Sequence, residues 1–146
     1  MANQRLDKMT NGRFHLKRKE SEGKGNGRKG LELEVFDNNT GSIRGINSLS
    51  GGESFKAALS LALGLADVIQ SYAGGISIDT MFVDEGFGTL DPESLDNAIE
   101  CLLNLQKGGR LVGIISHVAE LKERVDARLE VTASEFKGSK ANFIIS

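Results

Sequence analysis

Apolar and charged residues alternate from Arg13 to Lys19, with Phe14 and Leu16 set against His15 and Lys17, and this period of two predicts a half-exposed strand. Leu31, Leu33 and Val35 repeat the alternation against Glu32 and Glu34, predicting a second strand that forms a hairpin with the first. Between them, Glu20 to Gly30 places four glycines among charges, a composition that suits a mobile connection. Asp37-Asn38-Asn39-Thr40-Gly41 reads as a turn. The period then changes. From just after Leu49, residues Phe55, Ala58, Leu59, Ala62, Leu65, Ala66, Ile69 and Tyr72 follow helical spacing. Leu61, Leu63 and Val68 make this helix apolar on most sides, so it is expected to be buried against other elements, with Gly74-Gly75 ending it.

Thr80 to Asp84 is a short run of Met, Phe and Val that suits a buried parallel strand. Pro92 opens a helix whose stripe is Leu95, Ala98, Ile99, Leu102 and Leu105, closed by Gly108-Gly109. Leu111 to Ile115 predicts another apolar strand, followed by a helix from about Val118 to Val125 and strands near Leu129-Val131 and Asn142-Ile145. The order indicates an α/β fold: a partly parallel sheet flanked by helices, with an N-terminal β-hairpin.

Composition narrows the class. With 39% hydrophobic and 26% charged residues among 146, the chain fits one soluble domain with a modest single core. Its longest apolar-rich stretch, Phe55 to Tyr72, is interrupted by Lys56, Asp67 and Gln70, so no membrane span is predicted. Met1 to Arg13 has no apolar segment of the signal-peptide kind. The single cysteine, Cys101, falls on an apolar helical position and is assigned to packing; a reducing cytoplasm suits these features. A net charge of −2 hides an asymmetry, because residues 1–30 hold nine Lys/Arg against three Asp/Glu. Such a basic segment is either a nucleic-acid contact or simply solvated surface.

Three constellations carry candidate chemistry. Leu49-Ser50-Gly51-Gly52-Glu53 opens the long helix, and Ser50 with Glu53 forms a Ser-x-x-Glu capping box. A cap alone does not require two glycines, which cost about 1 kcal/mol each in a helix; bare amides at a helix start also hold phosphate. Met81-Phe82-Val83-Asp84-Glu85 ends an apolar strand in two carboxylates, one able to hold Mg²⁺ and the next to orient a water for attack on a phosphoryl group. A solvated strand end is the plainer alternative. Asp91 precedes Pro92 as a helix N-cap. Ser116-His117 follows the next strand, where His117 is placed to converge with Glu85 on one crevice. Nowhere does a Gly-x-x-x-x-Gly-Lys-Ser/Thr loop occur.

In order and spacing, these motifs resemble those of ABC-type ATPases: Leu49 to Glu53 resembles the signature motif, Met81 to Glu85 the Walker B strand, Gly88 to Asp91 the D-loop, and His117 the switch histidine. Glu53 and Gly86 depart from the transporter pattern of glutamine and proline. The run Phe82 to Asp91, with Gly113 to His117, resembles the SbcC subunit of the bacterial SbcCD nuclease, and the likeness extends over nearly the whole chain. The resemblance implies the C-terminal lobe of an ABC-type P-loop ATPase head, incomplete without its N-terminal lobe, with residues 1–9 ending a coiled-coil helix and residues 10–146 forming the lobe. It implies ATP and Mg²⁺ as cofactors, with Asp84 in the metal shell and Glu85 polarising the attacking water. Ser50, Gly51 and Gly52 would contact the γ-phosphate held by an opposite head, next to Glu53; His117 would sense the γ-phosphate, and Asp91 would bridge the two heads. The implied partners are the N-terminal Walker A lobe of the same protein, a second copy of the head, an SbcD-type nuclease and double-stranded DNA, with no membrane. Two other readings stay open: a non-catalytic dimerisation or interaction module, and the ATPase half of a transporter.

Overall fold

The computed structural model describes residues 1–19, 32–72, 78–134 and 138–145. The chain divides into two compact units, Met1–Ile115 and Ser116–Ser146.

In the first unit, helix α1 (Ala2–Met9) leads into a three-stranded antiparallel sheet of β1 (Phe14–Arg18), β2 (Leu33–Asp37) and β3 (Ser42–Gly45), in the order β1-β2-β3. The predicted hairpin is present, with Leu16 opposite Val35. The glycine-rich connection and Leu31 lie outside the described residues. Two details differ from expectation. Asp37, placed in the turn by its type, is the last residue of β2 and is only 1% exposed. Arg13 and Arg44 lie 3.2 and 3.0 Å from its Oδ2, which is what permits a buried carboxylate at a strand end. β3 itself was not predicted, because its four residues offer one apolar side chain, Ile43, and that one is exposed. Leu6, Phe14, Leu16, Val35 and Ala57 form the core between α1, this sheet and the long helix.

The long helix, α2, spans Gly51–Tyr72 and begins where the capping box predicts. It is not buried on most sides as expected, but along one face. Lys56, Ala57, Leu59, Ser60, Leu63, Gly64 and Ala66 are buried, whereas Leu65, Ile69 and Tyr72 are 60%, 43% and 87% exposed. A helix apolar nearly all round gives no polar face to mark the outside, so periodicity alone cannot choose which side packs. The polar interruptions are each matched. Asp67 accepts from Arg5 of α1 at 2.6 Å and from Arg110 at 3.0 Å, Arg110 also donates to Gln70, and Lys56 donates to Ser94 at 2.8 Å.

β4 (Thr80–Asp84) and β5 (Leu111–Ile115) have the predicted boundaries and pair in parallel, with Asp84 opposite Ile115. Between them runs α3 (Pro92–Lys107), which packs on β5 and buries Leu95, Ala98, Ile99, Cys101, Leu102 and Leu105. Contrary to expectation, β4 is not a buried strand: Phe82 is 68% exposed, and Leu111 and Ile115 on β5 are also exposed. Two strands covered by one helix leave apolar positions uncovered in this chain.

The second unit holds a 3-10 helix at Ala119–Glu123 and an antiparallel pair, β6 (Ala127–Thr132) and β7 (Lys140–Ile145). Both strands were predicted, but the helix from Val118 to Val125 shortens to this 3-10 segment. Leu121 is its one buried residue, too little apolar surface to hold further turns in place.

Candidate functional site

The start of α2 is built as its sequence dictates. The Ser50 amide donates to Glu53 Oε2 at 2.9 Å, and the Glu53 amide donates to Ser50 Oγ at 3.3 Å, so each satisfies the other's orphan group. Ser50 and Gly51 are exposed and Gly52 is half-buried, which leaves this end of the helix accessible. Glu53 has a further partner that the sequence did not disclose: Arg13, at the entry to β1, lies 3.2 Å from Glu53 Oε1. As Arg13 also pairs with buried Asp37, the signature carboxylate is anchored to the sheet.

The two glycines differ in their reasons. A Cβ on Gly51 would meet only the Thr89 side chain, in ordinary contact at 3.6 Å. One on Gly52 would lie 2.8 Å from the Thr89 carbonyl oxygen, which is backbone and cannot swing aside. Gly52 therefore serves close packing of the Thr89 turn as well as an open helix end, a role not foreseen from the sequence.

That turn follows β4. Asp84 is the exposed last residue of the strand, and the Glu85 amide continues the pairing by donating to Ile115 O at 2.9 Å. Glu85 then takes a φ of 55°, a left-handed conformation that a glutamate adopts only at a cost. Gly86 follows at φ 93°, where a Cβ would collide with the Phe55 ring. Residues Phe87–Thr89 form a 3-10 turn closed by the Thr89 hydroxyl donating to Gly86 O at 2.8 Å. Phe87, 1% exposed, fixes the turn to α2 by packing edge-on against Phe55, with ring centroids 4.9 Å apart.

Asp91 ends the turn and caps α3, accepting from the Ser94 amide at 3.0 Å. Hydrogen bonds from the Ser94 hydroxyl and amide hold the Asp91 carboxyl below the usual carboxylate range, with the Lys56 charge acting in the same direction. Ser50, Gly52, Glu53, Lys56, Thr89 and Asp91 line one polar cleft of about 310 Å³. The structure thus brings the signature segment and the D-loop segment together. Asp84 and Glu85 stand as neighbours at the head of that turn. His117 belongs to the second unit, where the Val118 amide donates to Ser116 Oγ at 3.2 Å, and its convergence with Glu85 stays an expectation. Among the described residues no group of three or more His, Cys, Asp or Glu could hold a metal by itself. Asp84, exposed at the strand end, offers a single carboxylate, a donor set that suits Mg²⁺ only alongside waters and phosphate oxygens.

Residues 26–104 match the family described as SbcC/RAD50-like, Walker B motif. The chain belongs to that family. Among curated SbcC/RAD50-like relatives, the SbcC subunit of the SbcCD nuclease from Vibrio cholerae is 62% identical over 91% of this chain, and that from Staphylococcus epidermidis 54% identical over 93%. The chain spans about 13% of the length of each. Solved structures agree on the fold. The SMC head domain from Thermotoga maritima superposes with a TM-score of 0.62 at 17% identity, over 99% of this chain and 45% of that one. A structure from work on ATP-driven dimerisation and DNA-stimulated activation of SMC ATPases superposes at 0.70 and 18% identity, over 98% and 80%. The fold is thus that of part of an SMC-type head, in keeping with the ABC-type head lobe that the resemblance implied.

Proposed function

We propose that this chain is the signature- and Walker B-bearing lobe of an ABC-type ATPase head that couples ATP binding and hydrolysis to DNA-end processing by a partner nuclease of the SbcD type. The observation that carries this reading is Glu85. A strained left-handed carboxylate, directly after a second carboxylate at the end of a parallel strand, is the local cost of placing a water-polarising group beside a metal-binding one.

The roles divide between heads. Asp84 holds one position of the Mg²⁺ shell, an ion that neutralises charge on the phosphates when bound. Glu85 accepts hydrogen-bonding from the attacking water and orients it. Ser50, with the amides of Gly51 and Gly52 at the positive end of α2, faces the γ-phosphate carried by a second copy of the head. His117 senses the γ-phosphate, and Asp91 bridges the two copies. Residues 1–9 continue a coiled-coil helix, and double-stranded DNA meets the basic hairpin. The cradle for the nucleotide comes from the N-terminal lobe of the same protein, and the exposed apolar residues Phe82, Leu111 and Ile115 suit a lobe-to-lobe contact. Among the described residues no helix is long and apolar enough to cross a membrane; we place the protein in the cytoplasm.

Mixing this chain with a separately made phosphate-loop lobe tests the reading. Neither part hydrolyses ATP above background alone, and the mixture is expected to do so. Persistent inactivity of a properly associated mixture would instead favour a non-catalytic interaction module.

A further inference from the structure

Among the described residues, two charged side chains are exposed by less than a tenth: Asp37 at 1% and Lys56 at 9%. Asp37 is balanced by two arginines. Lys56 donates to a neutral hydroxyl, Ser94 Oγ, at 2.8 Å, and its charge acts from there on the Asp91 carboxylate. Lysine is almost never buried unless paired, because its ammonium gives up strong hydration. Leucine or methionine would fill the same place beside Ala57, Leu59 and Ser60 without that loss. Ser94 lies in the first turn of α3, where the cap carboxylate of Asp91 offsets the helix dipole and draws the Lys56 charge. A lysine held this deep, on a hydroxyl and with its charge acting on the cap carboxylate of Asp91, is a candidate for a role beyond filling space.

What the charge reaches is the cap of α3. Lys56 stands one turn into α2 from Gly52 and Glu53, and its Ser94 partner is the residue whose amide Asp91 caps. We infer that Lys56 is a positioning residue that ties the signature end of α2 to the Asp91 turn through Ser94, so that the two segments offered to a second head are held as one unit. The inference rests on the proposed role of Asp91 between heads. The Gly52 contact sets how close the two segments lie; the Lys56 bond sets which way the Asp91 end of the turn is held.

The test uses steady-state ATP turnover by the full-length protein. Lys56→Met keeps most of the volume and removes the charge; kcat is expected to fall about tenfold, with KM for ATP unchanged within about twofold and the melting temperature little changed. Asp91→Ala should lower kcat similarly, and the double variant should be no slower than Asp91→Ala alone, since both changes break one unit. Ser94→Ala removes the bridging hydroxyl and should reproduce the loss, which keeps the test decisive if Lys56→Met does not fold. Full kcat in Lys56→Met and Ser94→Ala, with Asp91→Ala impaired, overturns the Lys56 inference and leaves Asp91 in its role. Full kcat in Asp91→Ala removes that role, and the inference with it. Additive losses accompanied by a lowered melting temperature reduce Lys56 to a packing residue.

Discussion

Gly52 at the start of α2 and Thr89 in the turn after β4 are packed so closely that a Cβ on the glycine would lie 2.8 Å from the Thr89 carbonyl oxygen. Gly52→Ala gains helix propensity, about 1 kcal/mol, but forces that backbone contact apart at a cost of about 1–3 kcal/mol. We expect a net loss of stability in denaturant unfolding and a fall in ATP turnover of the complete head. Gly51→Ala meets a side chain at 3.6 Å and should keep or raise stability. Equal effects of the two substitutions on stability would contradict the asymmetry.

Glu85 makes a second prediction. Its φ of 55° is one that glycine adopts freely, so Glu85→Gly should leave stability unchanged or raise it by up to about 1 kcal/mol while abolishing hydrolysis. Glu85→Gln should also abolish hydrolysis yet preserve ATP-driven association of heads, because the amide keeps the shape and loses the charge. Normal turnover in Glu85→Gln would remove the residue from water activation.

Asp67 links α1 to the approach of β5 through Arg5 and Arg110. Burial pushes its carboxyl up, but hydrogen bonds and charge from the two arginines outweigh burial and hold it below the usual range. A folded-state value below the unfolded one, about 3.9, contributes stability that is complete above the unfolded value and disappears as pH falls through the folded one. Asp67→Asn should therefore cost about 1–2 kcal/mol at pH 7, and the difference from wild type should shrink on titration below about pH 4. A difference that stays constant down to pH 2.5 or so, followed by urea unfolding, would show that the charge is immaterial.

The basic N-terminal segment gives a fourth. Lys17 lies over the Phe36 ring at 4.8 Å and Lys19 pairs with Glu32 at 3.0 Å, while Arg28 and Lys29 lie outside the described residues. Replacing all four with alanine should weaken duplex DNA binding and flatten its salt dependence, by up to about 0.9 in log–log slope for each phosphate no longer neutralised. Lys19→Ala alone should change the slope least, since Glu32 already neutralises it. Unchanged slopes in the fourfold variant would leave the hairpin as solvated surface.

Much of this was legible in the chain itself. Strict alternation announced β1 and β2, Pro92 and the glycines bounded α3, and Ser50 with Glu53 announced the start of α2, because each signal is local and depends on residues a few positions apart. The order of Leu49–Glu53, Met81–Glu85 and Ser116-His117 carried the family for the same reason. Tertiary structure alone decided which face of α2 is covered, since a helix apolar on nearly every side presents no local contrast. It also decided that Gly52 makes room for Thr89, that Arg13 holds Glu53, and that Lys56 meets Ser94. Those partners are 37, 40 and 38 residues apart, and no periodicity encodes a contact between side chains that meet only after the helices have packed.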